Sequence, residues 1–424
     1  MVSLSEIPPL HREGVEAMKI QEWFSDLNET NIERTVNLIF ASQYSKQRDL
    51  APILVNELIK IVPLRSDLTA LVQMLKLLKS RQAQTNAIGT IFSTIMMSSL
   101  ALEIEYDIHG IVPYLFFLKK LITEKVIEIW DLVVQIKRFI RNKPNFQFLC
   151  FCYFAPEILV SDKEYYAELK ANALKDKVTE PILTQYQEGW AGLEANNFKI
   201  LKELTEFGFT KSSAEYLIAT DNVKALDEYL KSNKLDFTYR IPENAFTPVQ
   251  FIQWSPQVAE YAAFYGSVEC VKLMLSRGAN STTLSAYAVA GGSQKMIDFV
   301  TKSGISFKGT LRLATYYRRI ELYNYILPRI KKEQLAKEVN YAMVRAAESN
   351  DIRLFRQTLT DGGRINFYDE NKESPLLIAA KKGNAELVKY ILTFPNVKTD
   401  AANCWGKTAA ELAPRTMEQL FAKK

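Results

Sequence analysis

Histidine is almost missing from these 424 residues: only His11 and His109 are present. A histidine triad or a histidine-rich metal site would have to be built on one of two isolated residues, so neither is expected. Cysteine is nearly as sparse. Cys150, Cys152, Cys270 and Cys404 are too few and too scattered to form a disulfide framework in a chain this long, which suits a reducing compartment. Cys150-Phe151-Cys152 lacks the second Cys pair or nearby His that four zinc ligands need. A Gly-rich dinucleotide fingerprint and a Ser nucleophile elbow are both missing. Gly406-Lys407-Thr408 imitates the end of a phosphate-binding loop, but Ala401 stands where that loop requires Gly. No catalytic residue, cofactor or metal ligand is therefore expected.

Long apolar runs are missing too. Residues 82–102 carry no charge, yet Gln82, Gln84, Thr90, Ser93, Thr94, Ser98 and Ser99 make a buried helix a better account than a membrane span, which needs about 20 mostly apolar residues. Residues 1–14 hold Glu6, Pro8, Pro9, His11 and Glu13 and lack the apolar core of a secretory signal. The cytoplasm, or the nucleus, is the expected location. The charge excess is only +5, from 53 basic and 48 acidic residues, too small to argue for nucleic-acid or membrane binding. The basic pairs Arg318-Arg319, Lys331-Lys332, Lys381-Lys382 and Lys423-Lys424 are scattered as on solvated faces. With 48% hydrophobic and 24% charged residues the chain has the balance of a folded protein. Its length calls for two cores or a continuous solenoid.

What is present is a repeat. Ser374-Pro375-Leu376-Leu377-Ile378-Ala379-Ala380-Lys381-Lys382-Gly383 reads as a capped short helix closed by Gly. Ser374 is placed to accept a backbone N–H, Pro375 suits the first helical position, and Gly383 suits a left-handed turn. The frame recurs at Ala346-Ala347-Glu348-Ser349-Asn350, with Asn350 lying 33 positions before Gly383. Downstream, Thr408 and Glu411 have capping-box spacing. Upstream, Gly266, Gly292 and Arg318 hold the same turn position at a spacing of 26 residues, after Ala262-Ala263-Phe264-Tyr265, Ala288-Val289-Ala290-Gly291 and Ala314-Thr315-Tyr316-Tyr317. About seven residues are missing from each of these two units, the length of a hairpin loop. Two weaker units, 192–201 and 217–226, begin the array.

The segment 374–388 follows the T-P-L-H-x-A-A pattern, and Ile365-Asn366-Phe367-Tyr368-Asp369 is similar to the V-N-A-x-D finger. The chain thus resembles ankyrin-repeat proteins. Its short units followed by standard ones, with Glu260-Tyr261-Ala262-Ala263-Phe264-Tyr265-Gly266-Ser267, resemble the divergent ankyrin families of protist parasites. The resemblance covers about 189–424, and 152–158 looks more faintly like the junction segment of those families. T-P-L-H is intact nowhere, so no known ankyrin partner is carried over. Asp369 is expected to accept turn amides.

From 14 to about 174, apolar residues recur at helical spacing, as in Leu68, Leu71, Met74, Leu75 and Leu78, and Pro63, Pro113, Pro144 and Pro156 are expected to separate the helices. The spacing leaves open a compact bundle or another α-solenoid. The fold class read from all this is all-α: an N-terminal helical domain over 1–180 and an ankyrin-repeat solenoid over 185–424, with short repeats to about 335 and standard ones over 336–424.

The resemblance implies a non-catalytic scaffold or adaptor that binds a protein on its concave surface, as a monomer and without nucleic acid or membrane. The alternatives are an enzyme with its active site in the N-terminal helical domain, the repeats recruiting substrate, and a structural spacer. In the ankyrin frame the residues before each turn end the first helix on the concave side. They give Phe264, Tyr265, Tyr316, Tyr317, Glu348, Lys381 and Lys382 as partner-binding candidates.

Overall fold

The computed structural model describes residues 7–82, 87–101, 108–139 and 143–422. Its elements are all helices; beyond them the described residues form two isolated bridges, Arg240 with Gln257 and Ala402 with Thr408. Of the uncharged stretch, Ile88–Ala101 is helical, while 83–86 and 102 lie outside the described residues, as do Lys423 and Lys424. No described helix is long and apolar enough to cross a membrane.

Contacts divide the chain into Leu27–Asn280 and a second unit made of Met1–Asp26 with Ser281–Lys424. This differs from the expected boundary near 180. Helix α1 (Arg12–Ser25) packs with the C-terminal repeats, and the helix pairs just before 280 cluster with the helical region that precedes them.

The unit Leu27–Asn280 starts with α2 (Ile32–Ala41), α3 (Ala51–Ile61), α4 (Thr69–Ser80), α5 (Ile88–Ala101), α6 (Ile108–Thr123), α7 (Ile129–Phe139), α8 (Pro144–Ser161) and α9 (Lys163–Lys175). Here α4 lies on α2, α5 on α3, α7 on α5 and α8 on α6. Helices here thus pack mainly on the second-next helix rather than on the next one. Pro113 lies inside α6 and Pro156 inside α8, so neither separates helices as expected. An interior proline costs about 3 kcal/mol. Both prolines are buried in apolar helix faces, and that packing outweighs the local penalty.

The same unit continues through α10 (Pro181–Glu188), α11 (Trp190–Phe207), α12 (Ala214–Ala219), α13 (Val223–Ser232), α14 (Val258–Tyr265) and α15 (Val268–Ser276). Helix α11 is broken by left-handed residues at Asn196, Asn197 and Phe198. Helices α12 and α13 pair, as do α14 and α15, with α14 on α12 and α15 on α13.

In the second unit come α16 (Leu284–Gly291), α17 (Gln294–Lys302), α18 (Leu311–Tyr316), α19 (Ile320–Ile326), α20 (Lys332–Ser349), α21 (Ile352–Thr360), α22 (Pro375–Lys381), α23 (Ala385–Leu392), α24 (Ala409–Leu412) and α25 (Glu418–Phe421). The first helices α16, α18, α20, α22 and α24 pack in succession. Every turn position named above is left-handed: Gly266, Gly292, Arg318, Asn350 and Gly383 have φ of 75°, 78°, 54°, 58° and 69°. Ser374 accepts from Leu377 N at 3.3 Å, and Thr408 with Glu411 forms the capping box. Gly292 also has a packing reason, because a Cβ there would overlap the Arg319 guanidinium.

The residue after the left-handed turn ties neighbouring repeats together in three places. Ser267 Oγ donates to Ile218 O at 2.5 Å, Arg319 Nη2 to Ala290 O at 2.7 Å, and Asn384 Nδ2 to Ala347 O at 2.8 Å. Each acceptor is a carbonyl near the C-terminal end of the preceding first helix, a group with no partner inside its own helix.

Candidate protein-interaction surface

The loops before α22 and α24 are built alike. Asp369 Oδ1 accepts the backbone N–H groups of Asn371 and Glu373 at 2.9 and 2.8 Å, as expected. Asn403 Oδ1 accepts those of Trp405 and Lys407, both at 3.0 Å. The two fingers are joined by Cys404 N donating to Asn371 O at 3.0 Å and by Asn366 Nδ2 donating to Asn396 O at 2.7 Å. Trp405, at the tip of the second finger, is 65% exposed.

A continuous strip runs from α18 to that finger. The Tyr316 ring meets Tyr317 edge-on at 5.2 Å between centroids, and its hydroxyl feels the charges of Glu348 and Arg345. Arg345 pairs with Glu348, Lys382 Nζ lies 3.8 Å from Glu348 Oε1, and Lys381 Nζ lies 3.1 Å from Glu373 Oε1. Lys381 Nζ also stands 5.8 Å from the centre of the Trp405 ring. Tyr316 is half-buried, and burial pushes its phenol up to about 12, so it stays a neutral donor at physiological pH.

The strip brings together Tyr316, Glu348, Lys381 and Lys382. Tyr317 is only 8% exposed and packs in the repeat, so it contributes core rather than surface. Phe264 and Tyr265 belong to the other unit. Phe264 is 2% exposed, stacked on Phe251 at 6.4 Å, because its helix-end position faces the stacking core. Tyr265 is half-buried among Tyr261, Phe209 and Phe264. Sequence reasoning missed Arg345 and Trp405. The signal for Trp405 was legible, since Asn403 repeats the role of Asp369 and places Trp405 inside a finger.

The unit Leu27–Asn280 has a cleft of about 430 Å³ between α7, α8 and α9, with Lys137, Cys150, Tyr165, Glu168 and Asp176 on its walls. Lys137 Nζ lies 3.9 Å over the Tyr165 ring. Burial pushes the Cys150 thiol up and the Tyr165 phenol up to about 12, so neither is ionised at neutral pH. Among the described residues no group of His, Cys, Asp and Glu is arranged to hold a metal ion.

Residues 343–419 match the family model described as ankyrin repeats in three copies. Among solved structures the chain is similar to the ankyrin repeat domain of human ASB11, at 17% identity and a TM-score of 0.35, over 50% of this chain and 98% of that one. No curated protein sequence matches it.

Proposed function

We propose that this chain is a non-catalytic scaffold that holds a protein partner on the strip Tyr316, Arg345, Glu348, Lys381, Lys382 and Trp405, because residues 343–419 match the ankyrin-repeat family model and stacked repeats of that kind present extended protein-binding surfaces. The observation that carries it is the exposed Trp405 ring under the Lys381 ammonium, continuous through paired charges with Tyr316. An exposed indole beside paired charges is what an interface anchor needs. Interface tryptophans and tyrosines lead the residues whose truncation costs about 2 kcal/mol or more, whereas a rim ion pair gives about 0–1 kcal/mol. The ion pairs of the strip then set register and specificity, and the rings supply affinity.

The reading of the chain as an enzyme has the α7–α8–α9 cleft as its site. Burial favours the protonated thiol and phenol in this cleft, and the lysine lies over the phenol ring, which supports the scaffold reading over the enzyme one. The test is capture of partners by the immobilised whole chain and by its Tyr316→Ala and Trp405→Ala variants. Partners lost from both variants, with melting temperatures unchanged, support the strip; partners retained by both overturn it.

A further inference from the structure

Helix α1 lies against the second helices α21 and α23. Ile20 and Phe24, four residues apart on one face, are both 0% exposed. Between them Gln21 Oε1 accepts the buried backbone N–H of Ile352 at 3.0 Å, satisfying a donor at the start of α21 that the helix cannot satisfy itself. Polar contacts fasten both ends. His11 Nε2 lies 2.7 Å from Glu386 Oε2, and Tyr390 Oη donates to Pro8 O at 3.3 Å on α23. On α21, Arg353 grips both oxygens of Asp26, at 2.7 and 2.9 Å. The α21–α23 face thus reads a helix with apolar side chains at i and i+4, an amide at i+1 and a carboxylate at i+6.

The grip is non-covalent and rests on few residues of α1. Only Gly14, Ile20, Gln21 and Phe24 of α1 are buried, and His11 caps it without a side-chain bond. The tether gives the resident α1 a high effective concentration, so an α1 from outside takes the face where the resident one is loosened.

We propose that the α21–α23 face is a helix-binding surface, filled in cis by α1 and open in trans to the α1 of a second copy of this chain. Exchange of an identical element between copies needs no new contact, because the surface that receives it is already complementary.

The probe is a fluorescein-labelled peptide of residues 7–26, titrated by anisotropy against the whole chain. Wild type, with its face occupied, binds weakly, and a Phe24→Asp chain binds about tenfold or more tightly. Adding Arg353→Glu to that chain abolishes binding, and an Asp26→Arg peptide restores it. Equal binding to wild type and Phe24→Asp, or binding indifferent to the charge swap, overturns the surface. If Phe24→Asp loses its helical circular dichroism, Gln21→Ala replaces it, and no gain over wild type with Gln21→Ala is the overturning result. The second copy is tested by mixing whole chains carrying Phe24→Asp, with an open face, and Arg353→Glu, with a loosened α1. A one-to-one dimer in sedimentation, formed by the mixture and by neither chain alone, supports the exchange; monomers throughout overturn it.

Discussion

Arg318 Nε donates to the carbonyl oxygen of Ser349 at 2.9 Å, so the turn of one repeat holds the end of the next repeat's first helix. Nη2 of the same guanidinium reaches that oxygen too. Arg318 does this from φ of 54°, at the frame position where the repeat ordinarily has Gly. The side chain is 1% exposed, and its bonds outweigh the cost of a left-handed non-glycine residue. Arg318→Ala keeps the strained backbone and loses the bonds, and should cost about 2–3 kcal/mol; Arg318→Gly should recover about 1 kcal/mol of that. Urea unfolding of both variants checks the order.

Arg318 also carries a pH dependence, through Asp351. Burial raises the carboxyl of Asp351 above its ordinary value, opposed chiefly by the charge of Arg318. A raised carboxyl contributes stability that is full below its unfolded value and lost as pH rises through its folded value. Removing Arg318 raises it further. The stability gap between wild type and Arg318→Ala should therefore widen as pH rises from about 4 to 7, and unfolding midpoints at the two ends measure it. A gap that narrows over this range would exclude Asp351 as the responsible group.

Adjacent tyrosines should behave differently. Tyr317→Ala empties a buried position and should cost about 3 kcal/mol, seen as a lower melting temperature. Tyr316→Ala should leave melting within a few degrees and weaken partner capture more than Lys381→Ala does. Matched melts and affinities of the three variants decide between core and surface.

Lys119, 1% exposed, meets Glu157 Oε1 at 2.5 Å, while Glu157 is half-buried. Burial lowers the ammonium's pKa against the pull of that carboxylate. Glu157→Ala strands the buried charge and should cost about 3 kcal/mol, whereas Lys119→Met removes it and should cost about 1 kcal/mol. Denaturant midpoints that reverse this order would show that Lys119 finds a substitute partner.

Expressed alone, residues 185–424 should remain helical by circular dichroism, because contacts in a repeat stack are mostly between neighbours. The fragment should melt below the whole chain, since it lacks the Ile20 and Phe24 that cover α21 and α23 and also the helices α6 and α8 on which α11 packs. An unfolded fragment would place the working boundary elsewhere.

Much of the C-terminal array is legible residue by residue, because its determinants are local. A left-handed turn needs Gly or a residue that tolerates positive φ, a cap needs a side-chain acceptor three residues ahead of the N–H it satisfies, and a finger needs Asp or Asn at its base. Gly266, Gly292, Asn350, Gly383, Ser374, Thr408 and Asp369 all meet those conditions within a few positions of chain. Tertiary structure alone decided the rest. Whether Tyr316 or Tyr317 faces solvent depends on the neighbouring repeat, and Pro113 and Pro156 stay inside helices because burial outweighs a local penalty. The seat of α1 depends on partners such as Ile352, 331 positions from Gln21, and Glu386, 375 positions from His11. Contacts at such separations leave no periodic trace in either segment, since each side chain is chosen for a surface that exists only after folding.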